Sequence, residues 1–207
     1  MHTPLRRQGF AFLSTVLLLA CIYGCAQRPY LIVDYQVPRI SDQLVGQKVR
    51  IEVKDLRQDQ QIFTPAAAEH FKAFQDRYSL SWVSENKSRV MAGEKDLQGL
   101  FLETFKKRLE QMGAEVVNTD RSEVPLFQVL INTMKIDLQE RKWTAKAGYE
   151  ASLSSDSQIV AREKVSGEAE QLRIVGRKGA DDTLSDIFTS AINRLDILKL
   201  FQQAKMI

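Results

Sequence analysis

The sequence predicts an α+β fold: a mainly antiparallel sheet of four to six strands with two main helices packed on one face, preceded by a cleaved signal peptide. Three observations predict it. Leu97, Leu100, Phe101, Phe105, Leu109 and Met112 recur at steps of three and four residues, the buried stripe of an amphipathic helix. Trp143, Ala145, Ala147, Tyr149, Ala151 and Leu153 alternate without a miss against Thr144, Lys146, Gly148, Glu150 and Ser152, the period of a strand with one buried face. Residues 10–23 form an apolar run of 14 residues behind Arg6 and Arg7, shorter than the roughly 20 a bilayer-spanning helix needs. That combination describes a secretory signal.

The chain divides accordingly. Residues 1–24 read as the signal peptide, 25–45 as a processed N-terminus with an extended lead, and 46–207 as a single α+β domain with a long insertion at 56–95. Between Pro29 and Pro38, Tyr30-Leu31-Ile32-Val33-Asp34-Tyr35-Gln36-Val37 is a first strand or an extended lead to the domain. Val49, Ile51 and Val53 alternate with Lys48, Arg50, Glu52 and Lys54, a half-buried strand. In the insertion, Thr64-Pro65 is a good helix start, with Ala67, Phe71, Phe74 and Tyr78 as its apolar stripe. Residues 79–84 suggest a short strand and residues 85–95 a loop.

The helix over residues 96–112 stops at Gly113, suited to a left-handed C-terminal residue, and residues 114–117 should re-enter the sheet as a strand. Residues 126–138 read as a long strand. Phe127, Val129 and Ile131 mark one phase and Met134, Ile136 and Leu138 the other, so a bulge near Asn132-Thr133 is expected. Ser154-Ser155-Asp156-Ser157 turns the chain into a hairpin partner over residues 159–169. Thr183-Leu184-Ser185-Asp186 matches a capping box, opening a terminal helix with Leu184, Ile187, Phe188, Ala191, Leu195, Leu198 and Phe201 inward. Helices on one face of such a sheet make an α+β sandwich.

Composition bounds the function. The chain is 44% hydrophobic and 27% charged, and its formal charge of +3 includes Arg6 and Arg7 of the signal segment. A nearly neutral mature chain lacks the concentrated cations that nucleic-acid binding needs. Two cysteines and two histidines leave no expectation of a His/Cys metal site, so no metal and no cofactor are expected. His70 lies on an amphipathic segment and reads as a surface or half-buried side chain rather than a base. Ser154, Ser155 and Ser157 belong to a turn, and no nucleophile-elbow pattern is present. Gly176-Arg177-Lys178-Gly179 lacks the ending of a phosphate loop, and Asp181 and Asp182 occupy the helix start instead. Asp55, Asp59, Glu103 and Glu110 show no spacing that selects a catalytic pair. The expectation is a non-enzyme. Trp82 and the group Arg141, Lys142 and Trp143 are the candidate partner surface, because Trp and Arg are enriched at interfaces.

Leu18-Leu19-Ala20-Cys21 and Ile22-Tyr23-Gly24-Cys25 each resemble the bacterial lipobox, in which the cysteine thiol receives diacylglycerol and becomes the acylated N-terminus. Cys21 has the better residue types around it. Lipidation there, however, would leave Cys25 as a lone thiol in an oxidising compartment. Cys25 is therefore the expected lipidation site, with Cys21 the alternative. Ala26 after it is not the Asp that commonly retains lipoproteins on the inner membrane, and by that resemblance the periplasmic face of the outer membrane is favoured.

The body resembles the YajG-type family of envelope lipoproteins. The likeness rests on Val49-Arg50-Ile51-Glu52-Val53-Lys54-Asp55-Leu56-Arg57, on the 97–112 helix ending Gly113-Ala114-Glu115-Val116-Val117, and on the Phe127 to Ile131 strand. The two later strands and the C-terminal helix, with Leu195-Asp196 and Phe201, complete it. The segment at 56–95 is longer than that family suggests. The resemblance implies an outer-membrane lipoprotein without known catalytic residues. The expected role is a non-enzymatic domain that binds an envelope protein partner or assists an envelope assembly. The alternative is an auxiliary subunit of a lipid or polysaccharide export system.

Overall fold

The computed structural model describes residues 28–119, 121–156, 158–172 and 178–207. The signal segment and both cysteines lie outside the described residues. In chain order the elements are β1 (Tyr30–Gln36), β2 (Lys48–Asp55), α1 (Pro65–Ala68), β3 (Arg77–Val83), β4 (Arg89–Lys95) and α2 (Leu97–Gln111). They continue with β5 (Glu115–Val116), β6 (Leu126–Gln139), β7 (Lys142–Ser155), β8 (Gln158–Leu172), α3 (Lys178–Arg194) and α4 (Ile197–Gln203).

The fold is α+β, with a five-stranded sheet in the order β5-β2-β6-β7-β8 and a three-stranded sheet in the order β1-β3-β4. Strands β6, β7 and β8 form the expected antiparallel meander, whereas β2 runs parallel to both β5 and β6. The bulge falls where the change of hydrophobic phase puts it, as a register shift between Ile131 and Thr133. Phe101 and Phe105 of α2 meet Tyr149 of β7 at 5.9 and 5.4 Å, and Phe188 of α3 meets Phe101 edge-on at 5.1 Å. Both main helices thus cover one face of the large sheet.

The three-stranded sheet is built from residues expected to be a lead and an insertion. Leu31, Val33 and Tyr35 of β1 are fully buried, so the packed core begins with β1 rather than near residue 46. Strand β1 pairs in parallel with β3, which makes β3 the centre of this sheet and not an elaboration on it. Residues 89–95, expected to be loop, form β4 as an edge strand. Its side chains are mostly exposed, so no apolar alternation marks it. The helix expected to run from Thr64 toward Tyr78 stops at Ala68. Phe63 and Phe71 stack at 4.4 Å and Phe74 meets Phe63 edge-on at 5.1 Å, so a compact aromatic cluster replaces the stripe.

Helix α2 has both expected ends. Asp96 accepts from the Gly99 N–H at 2.7 Å, an N-cap. At the other end the Gly113 and Ala114 amides donate to Glu110 O and Leu109 O, the paired bonds of a Schellman motif, with Gly113 at φ 91°. Helix α3 starts at Lys178, earlier than the Thr183 capping box suggests. Thr183 and Ser185 lie inside it and their hydroxyls donate back to Gly179 O and Asp181 O. The terminal helix is also broken at Leu195-Asp196, where Asp196 caps α4 by accepting from the Lys199 N–H at 2.9 Å.

A polar stripe on α3 closes the outer edge of β1. The Ile32, Asp34 and Gln36 amides donate to Asp181 Oδ1, Ser185 Oγ and Thr189 Oγ1 at 2.9, 3.0 and 3.1 Å. Asn193 then donates to Gln36 O at 3.1 Å and accepts from the Tyr35 hydroxyl at 2.6 Å. The match is metric: four helical residues rise about 6.0 Å and two strand residues about 6.6 Å. Side chains every fourth residue therefore stand opposite every second strand amide. Arg28 ion-pairs with Asp181 at 2.7 Å. Burial nevertheless pushes the Asp181 carboxyl up from its ordinary value, with the Ile32 amide and Arg28 offsetting only part.

Candidate functional site

Cys25 and Cys21 lie outside the described residues. Of the candidate partner surface, Trp143 is fully buried, with Phe71 and His70 edge-on to its ring at 5.6 and 5.9 Å. It is a core residue, because β7 turns that phase of its alternation inward. His70 is half-buried beside it. Arg141 and Lys142 are exposed at the β6–β7 turn, and Lys142 pairs with Glu170 at 3.3 Å. Trp82 is half-buried on β3, edge-on to Tyr35 at 6.1 Å. Of these four residues, the fully buried Trp143 is not available as partner surface.

What the fold does assemble is a cleft at the corner where β2 ends. Asp55 is the last residue of β2, and the chain bends so that the Arg57 amide donates to Asp55 Oδ1 at 3.1 Å. The Arg57 guanidinium then grips the same carboxylate, with Nε 2.9 Å from Oδ1 and Nη2 2.7 Å from Oδ2. Gln60 holds the bend from the other side, donating to Arg57 O at 2.7 Å and accepting from Nη2 at 3.3 Å. The Asp55 and Arg57 side chains are only 12% and 6% exposed. A buried ion pair persists when its remaining hydrogen-bonding capacity is met. Here Arg57 Nη1 is buried and has no hydrogen-bond partner among the described residues.

Asp55, Arg57 and Gln60 share a cleft of about 400 Å³ with Asp76, Tyr78, Asp96, Leu97 and Gln98. Three separate elements supply these groups. Asp76 precedes β3 in a left-handed conformation, φ 53°. Tyr78 enters from β3, and Asp96 to Gln98 form the start of α2. The Asp76 side chain makes no ion pair or hydrogen bond among the described residues, and Asp96 makes only its cap. Three carboxylates against one guanidinium leave the cleft net negative. Burial pushes the Asp55 carboxyl up, but the Arg57 hydrogen bonds and charge outweigh it and hold the group below its ordinary value. Burial also holds the Tyr78 hydroxyl well above the usual phenol range. Asp55 therefore stays ionised and Tyr78 protonated at neutral pH, which suits binding of a hydrogen-bond donor rather than proton transfer.

The sequence showed the Asp55-Leu56-Arg57 corner but not its company. Asp76 and Asp96 lie about 20 and 40 residues away, and only the β1-β3-β4 pairing brings them together. Asp59 instead pairs with Lys135, and Glu103 with Lys95. Glu110 is exposed. Among the described residues no group of three or more His, Cys, Asp or Glu side chains could hold a metal, and no helix is long and apolar enough to cross a membrane.

No family model matches the chain, and no curated protein sequence matches it. Among solved structures it is similar to a Xanthomonas campestris protein of the family DUF330, with a TM-score of 0.55 and 13% identity, over 85% of this chain and 99% of that one. It also matches rare lipoprotein B from Shewanella oneidensis, at TM-score 0.38 and 11% identity, over 49% of this chain and 83% of that one. A minor lipoprotein from Acinetobacter baumannii matches at TM-score 0.38 and 11% identity, over 79% and 92%. The first likeness shows a shared fold.

Proposed function

We propose that this chain is a lipid-anchored protein of the bacterial envelope, held at the periplasmic face of the outer membrane by acyl chains on Cys25. Its α+β domain binds an envelope protein rather than catalysing a reaction. The observation that carries this reading is the order of features at the N-terminus: two arginines, an apolar run, a lipobox-like cysteine, then β1 at once. Only four residues stand between Cys25 and Tyr30. At about 3.3–3.6 Å per residue they reach at most about 18 Å, so the domain rides close to the bilayer. Each buried methylene contributes about 0.8 kcal/mol, and two or three acyl chains together hold the chain on the membrane. The YajG-like pattern of the body agrees with an envelope lipoprotein. The cleft supports binding, since Asp55 is held by Arg57 and Asp96 accepts from a helix N-terminus, which leaves no carboxylate poised for proton transfer.

Palmitate labelling of wild type, Cys21→Ser and Cys25→Ser tests the anchor. Loss of label in Cys25→Ser alone is the expected result. Loss in Cys21→Ser alone moves the anchor four residues upstream, and an unlabelled wild type removes the lipoprotein reading. Crosslinking in intact cells followed by mass spectrometry tests the partner role. A copurifying lipid or glycan would instead assign the chain to an export system.

A further inference from the structure

The cleft at the Asp55–Arg57 corner carries two unmet demands of opposite kind. Arg57 Nη1 is a buried donor without an acceptor among the described residues, and leaving such a group unpaired costs about 1–3 kcal/mol or more when it is charged. Asp76 and Asp96, two carboxylates without an ion-pair partner among the described residues, line the same cleft. A simple anion would answer Arg57 but meet a net negative wall. A metal ion would meet the guanidinium 2.7 Å from the nearest carboxylate oxygen of Asp55. A free ammonium would answer the carboxylates and leave Nη1 as it is. One common group answers both demands, a peptide carbonyl next to a cationic side chain.

We propose that this cleft takes a basic peptide segment of a protein partner, with an Arg or Lys side chain between Asp76 and Asp96 and a backbone carbonyl accepting from Arg57 Nη1. The volume of about 400 Å³ lies in the range of sites that take a small ligand. Gln60, exposed at the same cleft, bonds to Arg57 Nη2 and to Arg57 O, so Nη1 is not engaged by it. The inference rests on the binding role given above and adds the chemistry of the occupant.

The test uses the full chain in detergent micelles and three blocked tripeptides: acetyl-Gly-Arg-Gly-amide, acetyl-Gly-Gly-Gly-amide and acetyl-Gly-Glu-Gly-amide. Amide chemical shifts report binding. The arginine peptide is expected to move Tyr78, Leu97 and Gln98 saturably at millimolar concentration, and the other two are expected to leave them still. Raising the salt from physiological to about 0.5 M weakens the effect, because charge attraction drives it. Asp76→Asn, at an exposed turn where folding is not at stake, is expected to weaken binding about three- to fivefold, the share of one partly exposed ion pair. Arg57→Lys removes Nη1 while keeping the charge and is expected to weaken it further. Equal shifts from the neutral or acidic peptide, no saturable shift from the arginine peptide, or unchanged affinity in Asp76→Asn would overturn the proposal. A chain that incorporates palmitate yet ignores the arginine peptide keeps the lipoprotein reading and removes this one alone.

Discussion

Replacing Arg108 by methionine removes a guanidinium that closes the end of α3 from the side. Arg108 projects from the last turn of α2, and its Nη1 donates to Ile192 O. Its Nη2 donates to Leu195 O at 2.5 Å and more weakly to Asn193 O at 3.4 Å. These are the carbonyls that a helix C-terminus leaves without partners, and a cation there also offsets the helix dipole. A hydrogen bond to a charged group contributes about 1.5–3 kcal/mol net, so the two good ones represent roughly 3–6 kcal/mol. Burial of the guanidinium, which pulls its pKa down, costs part of that. Methionine keeps the aliphatic packing. A loss of about 2–4 kcal/mol is therefore expected for Arg108→Met, with Arg108→Lys in between because it retains one donor and the charge. For a domain of this size each kcal/mol shifts Tm by about 2–4 °C, so the melting point should fall by roughly 5–15 °C. Urea unfolding of the detergent-solubilised chain, followed by tryptophan fluorescence, reads it directly, since Trp143 is fully buried. An Arg108→Met variant within about 0.5 kcal/mol of wild type would refute the capping role.

Ser185→Ala removes the acceptor for the Asp34 amide and should destabilise by about 1–3 kcal/mol. Hydrogen exchange should speed up at Asp34 and much less at Ile32, whose acceptor Asp181 remains; uniform exchange along β1 would mean that the α3 stripe does not hold the strand residue by residue. The Asp55–Arg57 pair predicts a pH dependence with a definite sign. Because the folded Asp55 pKa lies below its unfolded value, the pair's stabilisation is present above the unfolded carboxylate pKa of about 3.9 and fades as pH falls through the folded value. Asp55→Asn should lower stability at neutral pH and flatten the acid limb of a plot of stability against pH, and an unchanged limb would count against the pair.

Elements carried by a strong period were legible in the sequence. The apolar stripe of α2 from Leu97 to Leu109, its Asp96 and Gly113 ends, the unbroken alternation of β7 and the phase change that marks the β6 bulge are all local signals. Strand β4 was not legible, because an exposed edge strand has no buried face to print a pattern. Helix α3 was misplaced at its start because Thr183 and Ser185, good capping residues, are used inside the helix. The spacing of Asp181, Ser185, Thr189 and Asn193 at steps of four was the available clue: small polar residues are poor helix formers, and a regular file of them asks for a partner. The inward turn of Arg108 and the gathering of Asp76 and Asp96 at Arg57 left no local trace. The first depends on how two helices pack and the second on which strands pair, both across long stretches of chain.

The clasp that α3 places on β1 bears on how the domain withstands tension. With the acyl anchor at Cys25 as proposed, any tug between membrane and domain enters the fold at the first residues of β1. The strand lies lengthwise between β3 and α3, bonded along both margins. Pulling along its axis loads those bonds together, in shear, instead of opening them one after another as a peeling hairpin would. Resistance to such a pull is set by the unfolding barrier rather than by equilibrium stability. The leash is thus fastened to the segment of this fold whose hydrogen bonds are arranged to share a load.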